Sequence, residues 1–150
     1  MQTFLPSPSF YNSAAILDMR RLGKQRVETK QIYLALTLPK YGWKNHPAVT
    51  MWKGYEVALA DYGKHICMEW ISRGYNDSLL PFFINRTLNK QVMYPPWLGD
   101  PVFHSSHRSN LLRKDPAFYS KYNWGDDPHD PYQWPVVDST TNTYTLRSGD

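Results

Sequence analysis

A helical pattern across residues 15–36 constrains the fold more than any other feature of the chain. Spacings of three and four residues place a polar set on one face and a mostly apolar stripe, interrupted by Arg26, on the other. The polar set consists of Arg21, Lys24, Glu28 and Gln31. One carboxylate among cationic groups suits acid–base chemistry beside phosphates, whereas a merely solvated face is the alternative that the pattern leaves open.

Capping residues and prolines extend this helical pattern to the rest of the chain. They predict one helix that starts after Asn12 or Ser13 and runs to residue 37, a second from Asn45 or His46 to residue 73, a third over residues 101–114, and one or two turns around residues 82–88. Gly23, inside the first helix, predicts close approach of another group to the backbone. We find no repeat and no strand alternation that would build a sheet. The predicted fold class is all-α, a compact single-domain helical bundle with an irregular C-terminal tail.

The composition changes near residue 125. Residues 1–124 carry a net charge of +8, whereas residues 125–150 contain one arginine and five aspartates, a net charge of −4. We therefore predict a helical domain at 1–124 and an acidic, proline-containing tail at 125–150 that is partly disordered, with Tyr132 and Trp134 packing its first half. A basic body rich in tryptophan and tyrosine suits a polyanion whose bases are available for stacking.

Several classes of protein do not fit the sequence. The single cysteine, Cys67, excludes an internal disulfide and a cysteine-cluster zinc site, and no apolar run approaches the length of a membrane span. The N-terminus lacks the pattern of a signal peptide, so we expect a soluble, cytoplasmic protein. A phosphate-cradling glycine loop and a serine nucleophile elbow are also missing from the sequence.

The third helix carries a second polar set. His104 and His107 lie three residues apart, and with His129 they suggest a metal site, but no H-E-x-x-H pattern accompanies them, so we expect no metal. Basic residues at 108, 113 and 114 and the short serine and asparagine side chains suit phosphate oxygens instead. We therefore expect a second DNA-facing surface here.

Two segments resemble the pyrimidine-dimer DNA glycosylase family, of the phage endonuclease V type. Leu17, Arg21, Leu22 and Glu28 match the family pattern L-x-x-x-[HR]-L-x-x-x-x-x-E. Residues 69–76, E-W-I-S-R-G-Y-N, are similar to the family segment E-C-L-K-R-G-F-N, and His46 also fits a family histidine. The aromatic segment at 118–125 is similar to the aromatic cluster near the family's C-terminus. The resemblance covers about residues 1–125 and implies a compact helical domain.

The resemblance also implies a function and a mechanism. Members excise the base at ultraviolet-induced pyrimidine dimers and then nick the strand as an abasic-site lyase, without a cofactor, through a Schiff base on the N-terminal amine. The family's glutamate corresponds to Glu28 as the acid and base. Best-known members expose a threonine after Met removal, whereas Gln2 should block that removal here. We therefore expect Met1 to be the nucleophile, with Lys24 as nucleophile or a loss of lyase activity as the alternatives. The chain would then be a DNA repair enzyme that acts as a hydrolase, lyase and endonuclease on damaged or modified pyrimidines.

From the basic helices and the resemblance together we expect the chain to bind double-stranded DNA as a monomer, associated with the nucleoid when bound. The expected DNA contacts are Gln2, Arg20, Arg21, Lys24, Arg26, His46, His107, Arg108, Arg113, Lys114 and Lys121. The expected base-stacking residues are Tyr119, Tyr122 and Trp124. Two alternatives stay open: a nucleic-acid-binding protein of the same fold without catalysis, and a nuclease that uses a histidine-bound metal.

Overall fold

The computed structural model describes residues 1–138 and 140–149. Within them the chain forms seven α-helices, a short 3₁₀ helix and two β-strands: α1 Phe10–Ile16, α2 Met19–Thr37, α3 Pro47–Thr50, α4 Glu56–Ser72, α5 Leu80–Thr87, α6 Pro101–Lys114, α7 Pro116–Tyr119, the 3₁₀ helix Ser120–Tyr122, β1 Tyr132–Asp138 and β2 Thr143–Gly149. The fold is therefore mostly helical, and the all-α prediction is wrong in its finer detail because a small antiparallel sheet is present. None of the helices in the described residues combines the length and apolar character that crossing a membrane requires.

The first predicted helix is two helices, because Asp18 interrupts it. Leu17 and Asp18 have extended backbones, and the Asp18 carboxylate caps α2 by accepting from the Arg21 backbone N–H at 3.3 Å. A short acidic side chain that bonds to the backbone favours a cap over a helix interior. The cap of α1 is Ser9 rather than Asn12 or Ser13.

The second predicted helix also divides. His46 caps α3 as predicted, but the chain turns at Gly54, whose φ of +88° no helix interior adopts, and α4 begins only at Glu56. Gly74, with φ of +92°, follows the end of α4, which confirms the predicted left-handed stop. The start of α6 is likewise confirmed, since Asp100 caps it ahead of Pro101.

The core lies around α4, which packs against α1, α2 and α5. The aromatic residues predicted to pack do so: Tyr62 of α4 and Trp52, which precedes α4, are fully buried, and the ring of Trp52 meets that of the buried Trp97 edge to face at 4.9 Å. Gly23 lets α2 approach α4 closely, because a Cβ atom at this position would lie 2.9 Å from the Trp70 ring. The close approach predicted at Gly23 is therefore confirmed.

The C-terminal segment is a hairpin rather than an irregular strap. β1 and β2 pair antiparallel from Tyr132 with Gly149 to Asp138 with Thr143, and β1 packs against α3 and α6. Sequence alternation is weak here because Pro135 and a threonine-rich turn interrupt it, so packing on the helices decides the conformation. The predicted disorder concerned the last dozen residues, of which Ser139 and Asp150 lie outside the described residues. The division into domains at residue 125 stays a prediction.

Candidate active site

The N-terminal segment is threaded into the core rather than left at the surface. Thr3 and Leu5 are fully buried, and Gln2 is almost so. The Thr3 hydroxyl accepts a hydrogen bond from the Trp52 indole N–H at 3.1 Å, and the Leu5 N–H donates to His107 Nδ1 at 2.9 Å. This segment therefore has a fixed path, and residue 1 has a fixed position.

Gln25 of α2 holds the same segment from the other side. Its amide Nε2 donates to the Gln2 carbonyl at 2.6 Å, while its Oε1 accepts from the Phe4 N–H at 2.8 Å. The Tyr62 hydroxyl donates to the Phe4 carbonyl at 2.7 Å. A buried amide that bridges two backbone groups pins the chain because each unsatisfied partner would cost free energy.

Glu28 lies one helical turn beyond Gln25 on α2, next to the start of the chain. Its Oε2 accepts from the Gln2 backbone N–H at 3.0 Å, and its Oε1 is 3.7 Å from Lys24 Nζ. The Glu28 side chain is 16% exposed, and that of Lys24 is 76% exposed. The carboxylate is thus fixed by the backbone one residue from the terminal amine, whereas Lys24 reaches it from solvent.

A pocket of about 510 Å³ opens in front of Glu28. It is lined by Met1, Gln2, Phe4, Arg20, Arg21, Lys24, Gln25, Glu28, His46, Lys114, Tyr132 and Trp134. Its volume is within the range of small-molecule and cofactor sites. The structure therefore brings together eight of the residues predicted from the sequence: Met1, Gln2, Arg20, Arg21, Lys24, Glu28, His46 and Lys114.

His46 faces the pocket from the N-terminus of α3. Its Nδ1 accepts from the Ala48 N–H at 3.0 Å, so in the neutral ring the proton is on Nε2. Burial lowers the pKa of His46 below 6.5; the terminal ammonium of Met1 lowers it further and Glu28 opposes both. His46 is therefore a neutral donor at pH 7, close enough to both groups to be influenced by their charges.

Positive charge converges on the pocket from two helices. Burial lowers the pKa of Lys114, at the end of α6, and the like charges of Arg21, Arg113 and Lys24 add to that effect. Since like charges raise the free energy of each other's charged form, the pocket mouth attracts an anion. A DNA phosphate is the anion that a basic body of this kind suits.

The aromatic side of the pocket comes from β1. Tyr132 is 8% exposed, and burial raises its pKa to about 12, so its hydroxyl stays protonated. Trp134 is half-buried, with its ring centroid 5.5 Å from that of Tyr132 and 6.0 Å from that of His46. These two aromatic residues place the C-terminal hairpin at the site.

His107, a predicted DNA contact, and Tyr119, a predicted stacking residue, are fully buried and so are not exposed to DNA in this structure. His107 is fully buried, and burial lowers its pKa to about 3. His104 Nδ1 lies 2.8 Å from the Leu5 carbonyl, and its Nε2 accepts from the Gly99 N–H, so neither ring is arranged around a metal. Within residues 1–138 and 140–149 no three potential metal ligands cluster. Tyr119, predicted to stack on a base, is also fully buried, and its hydroxyl donates to Asp18.

Other predicted contacts lie outside the pocket, where they bond to the protein itself. Arg26 pairs with Asp77 and lies 4.6 Å over the Trp70 ring, and Arg108 pairs with Asp126 at 2.7 Å. Four more predicted contacts lie outside the pocket: Arg113, Lys121, Tyr122 and Trp124. Arg113 donates to the carbonyls of residues 128 and 130, and Lys121 lies over the Phe118 ring. Tyr122 and Trp124 stack on each other with ring centroids 5.0 Å apart. These side chains are engaged within the protein, away from Glu28.

Four pocket residues were not among the predicted contacts: Phe4, Gln25, Tyr132 and Trp134. Gln25 lies one turn before Glu28, and that spacing was a usable signal. Tyr132 and Trp134 are two residues apart, the spacing of one strand face, and the sequence predicted their packing but not their place in a site. Phe4 carried no signal, since its position depends on the threading of the N-terminal segment.

The N-terminal part of the chain matches a known protein family. A family described as pyrimidine dimer DNA glycosylase matches residues 1–80. No curated protein and no solved structure matches the chain. The matched region contains Met1, Glu28 and His46, whereas Lys114 and the two aromatic residues of β1 lie beyond it.

Proposed function

The chain belongs to the pyrimidine dimer DNA glycosylase family, and from that premise we propose that it excises pyrimidine dimers from double-stranded DNA and then cleaves the abasic strand through a Schiff base. The observation that carries the proposal is the hydrogen bond from the Gln2 N–H to the Glu28 carboxylate. It holds the Glu28 carboxylate one residue from the terminal amine, and Met1 and Glu28 both line the basic pocket.

In the proposed first step the amine of Met1 is the nucleophile. A neutral α-amine attacks C1′ of the damaged nucleotide, the electron pair of the glycosidic bond leaves with the base, and the nitrogen then loses a proton. α-Amines lose their proton more readily than lysine side chains, which favours this group near neutral pH. Glu28 stabilises the positive charge that develops on the sugar and relays the protons.

In the second step the sugar ring opens. The nitrogen lone pair displaces O4′, which takes up a proton, and a protonated imine forms between the protein and C1′. Removal of a proton from C2′ then expels the 3′ phosphate by β-elimination, which breaks the strand. In this proposal Glu28 moves that proton, and His46, whose Nε2 carries the proton of the neutral ring, donates a hydrogen bond to the sugar or to a phosphate.

The pocket rim supplies the DNA contacts of this proposal. Arg20, Lys24 and Lys114 are exposed at its mouth, where phosphates of a bent or opened duplex would lie. An enzyme that acts on a base inside a duplex must distort the duplex to reach it, and the pocket of about 510 Å³ could receive part of the distorted strand. We propose a monomer that acts in the cytoplasm on DNA of the nucleoid.

Borohydride trapping tests the reaction class and the nucleophile together. We expect a covalent adduct with ultraviolet-irradiated duplex DNA and with duplex containing an abasic site, and peptide mapping should place it on Met1. An adduct on Lys24 would keep the imine but overturn the nucleophile. Trapping on abasic DNA alone would indicate a modified pyrimidine as the substrate.

Glu28→Gln is the decisive variant, because it removes the acid–base group and keeps the side-chain size. Strand cleavage should fall at least about 100-fold, while binding to duplex DNA stays within about 2-fold. Glu56→Gln, on α4 outside the pocket, is the matched control and should keep full activity. Intact DNA binding without cleavage or adduct in the unaltered protein would instead support a binding protein without catalysis.

A further inference from the structure

Trp43 is the most exposed of the six tryptophans, all of which the structure describes. It is 62% exposed, whereas the other five are buried or half-buried. It lies in the segment between α2 and α3, with Lys40 and Lys44 close by in the chain. Indole rings are large apolar surfaces that contribute strongly to binding when a partner covers them. A partner that covers Trp43 therefore removes a large apolar area from water.

The backbone of Trp43 is left-handed, with φ of +68°. Bulky residues rarely adopt this conformation, and those that do are concentrated at functional sites. Glycine adopts it freely, yet the preceding Gly42 does not have a positive φ. Neighbouring groups hold the turn, because the His46 N–H donates to the Trp43 carbonyl at 2.9 Å and Lys44 Nζ donates to the Ala35 carbonyl at 2.8 Å. The exposed indole is therefore carried by a fixed turn.

Trp43 lies beside the pocket. Its ring centroid is 6.0 Å from that of His46, and the two rings meet edge to face at 71°. His46 lines the pocket together with Met1 and Glu28. A duplex that places a sugar at Met1 and Glu28 would therefore bring neighbouring base pairs close to the Trp43 indole.

A pyrimidine dimer restricts where a duplex can be opened. Its two pyrimidines are covalently joined, so a side chain can enter only at the steps between the dimer and its flanking base pairs. Inserting an apolar side chain at a step unstacks the bases and bends the duplex, and the cost is lowest where damage has already weakened pairing. An indole replaces part of the lost stacking, since aromatic side chains stack on any base.

We propose that Trp43 inserts into duplex DNA at a base step that flanks the pyrimidine dimer, and that its indole stacks on the flanking base and holds the strand open at the pocket. Trp43 is then the residue that distinguishes damaged from intact duplex, because an intact step resists opening more strongly. The cations of α2 contact the phosphates of either duplex. This inference rests on the proposed function, since it assigns recognition of the same substrate to a residue beside the same pocket.

Binding to matched duplexes tests this recognition without relying on catalysis. The probes are two duplexes of one sequence, one with a single cyclobutane thymine dimer and one intact, bound to the full chain carrying Glu28→Gln. Trp43→Gly in this background should weaken binding to the dimer duplex about 5- to 150-fold, the range that stacking on one base accounts for, and binding to the intact duplex less than about 2-fold. Trp43→Phe should retain most of the preference for the dimer. Equal losses on the two duplexes, or no loss on either, would overturn the inference.

Trp43→Gly is the chosen variant because glycine removes the indole and also suits the left-handed backbone, so the protein should fold normally. Urea denaturation checks the fold. The matched control is Tyr11→Ala, which removes an exposed aromatic side chain of α1 outside the pocket and should keep the preference for the dimer. The same loss of preference in the control would contradict the assignment to Trp43.

Photocrosslinking locates the indole on the DNA. The probe is the dimer duplex with 5-iodouracil in the base pair next to the dimer, bound to the chain carrying Glu28→Gln. Long-wavelength irradiation should link this base to the peptide that contains Trp43, and Trp43→Gly should remove the link. A link to the peptide that contains Trp134 instead, or bound DNA without any link, would refute insertion by Trp43.

Excision kinetics distinguish insertion from a structural role. With Glu28 in place, Trp43→Gly should slow excision from a fully paired dimer duplex about 5- to 150-fold. It should slow excision less than about 3-fold where mismatches beside the dimer have already opened the flanking steps. Equal slowing on the two substrates would indicate a structural role and contradict insertion.

The same measurements separate this inference from the proposed function. If the unaltered chain excises dimers and Trp43→Gly does so at the full rate, the inference fails and the proposed function stands. If the unaltered chain prefers the dimer duplex through Trp43 but neither cleaves nor traps it, the inference stands and the proposed function fails.

Discussion

Helices α2 and α6 look alike in sequence and have opposite roles in the structure. Both carry arginine and lysine with short polar side chains, and both were predicted to face DNA. In α2 the charged residues line the pocket around Glu28. In α6 the histidines, Ser106, Ser109 and Asn110 are buried, and only the last turn, at Lys114, reaches the pocket.

The difference follows from what each helix packs against. The N-terminal segment lies against α6, and the backbone of Leu5 bonds to His107 through its N–H and to His104 through its carbonyl. A buried segment without secondary structure needs partners for its backbone groups, and the polar side chains of α6 supply them. In this way α6 fixes the N-terminal segment, and α2 carries Glu28, the carboxylate proposed to act as acid and base beside the terminal amine. Polar composition alone does not distinguish a site from a support.

The largest expected effect is on stability and concerns His107. Replacement by alanine leaves the Leu5 N–H without an acceptor and opens a cavity, so we expect the free energy of unfolding to fall by about 2 to 4 kcal/mol. Urea denaturation measures it. His129→Ala, on an exposed histidine, should change stability by less than about 0.5 kcal/mol. Equal stability of the two variants would contradict the supporting role of α6.

The next effect is on DNA affinity and concerns the exposed cations of α2. The double variant Arg20→Ala with Lys24→Ala should weaken duplex binding by about 10- to 100-fold at low salt and reduce the salt slope by about two. The matched control is Lys53→Ala with Lys90→Ala, two exposed lysines outside the pocket. Fluorescence anisotropy over a salt series measures both quantities. If the control variant loses as much affinity, the α2 face is not a preferred DNA-binding surface.

A third effect is the dependence of stability on pH. The folded pKa of His107 is about 3 and its ordinary value is 6.5, so the unfolded chain takes up this proton first as the pH falls. The contribution of His107 to the free energy of unfolding is therefore complete above pH 6.5. Below that pH it should decline by about 1.4 kcal/mol per pH unit for this one proton. His107→Asn should remove about that much slope between pH 6 and 5 in denaturation curves. A wild-type slope retained in His107→Asn would contradict this assignment.

The smallest effect concerns Arg108, which pairs with Asp126 and also donates to the Pro6 carbonyl at 2.9 Å. This partly exposed pair stabilises the protein only modestly, so Arg108→Ala should cost about 1 kcal/mol of unfolding free energy. Its salt slope for DNA binding should match that of the unaltered protein, because the guanidinium is engaged within the fold. A reduced slope would return Arg108 to the set of DNA contacts and weaken the contrast between the helices.

The sequence predicted local structure correctly wherever residues that are close along the chain determine it. The face of α2 with Lys24 and Glu28, the cap at His46, the start of α6 and the stop at Gly74 all depend on residues within one or two turns. The helix interruptions at Asp18 and Gly54 also have local sequence signals, a capping residue and a glycine. The apolar spacing continues across both positions, however, and so it favoured the prediction of continuous helices. Hydrophobic periodicity indicates which face of a helix is apolar. It does not indicate where a capping residue ends one helix and begins another.

The sequence by itself determined a mostly helical, basic chain and the placement of Glu28 among cations on one helix face, because these depend on spacings of three and four residues. Only the tertiary structure decided that residue 1 lies beside Glu28, that α6 turns its histidines inward, and that Trp134 reaches the pocket from the far end of the chain. Those outcomes depend on contacts between residues about 26 to 102 positions apart. Such contacts are selected by the packing of the whole core and the need to satisfy buried backbone groups, which no local pattern records.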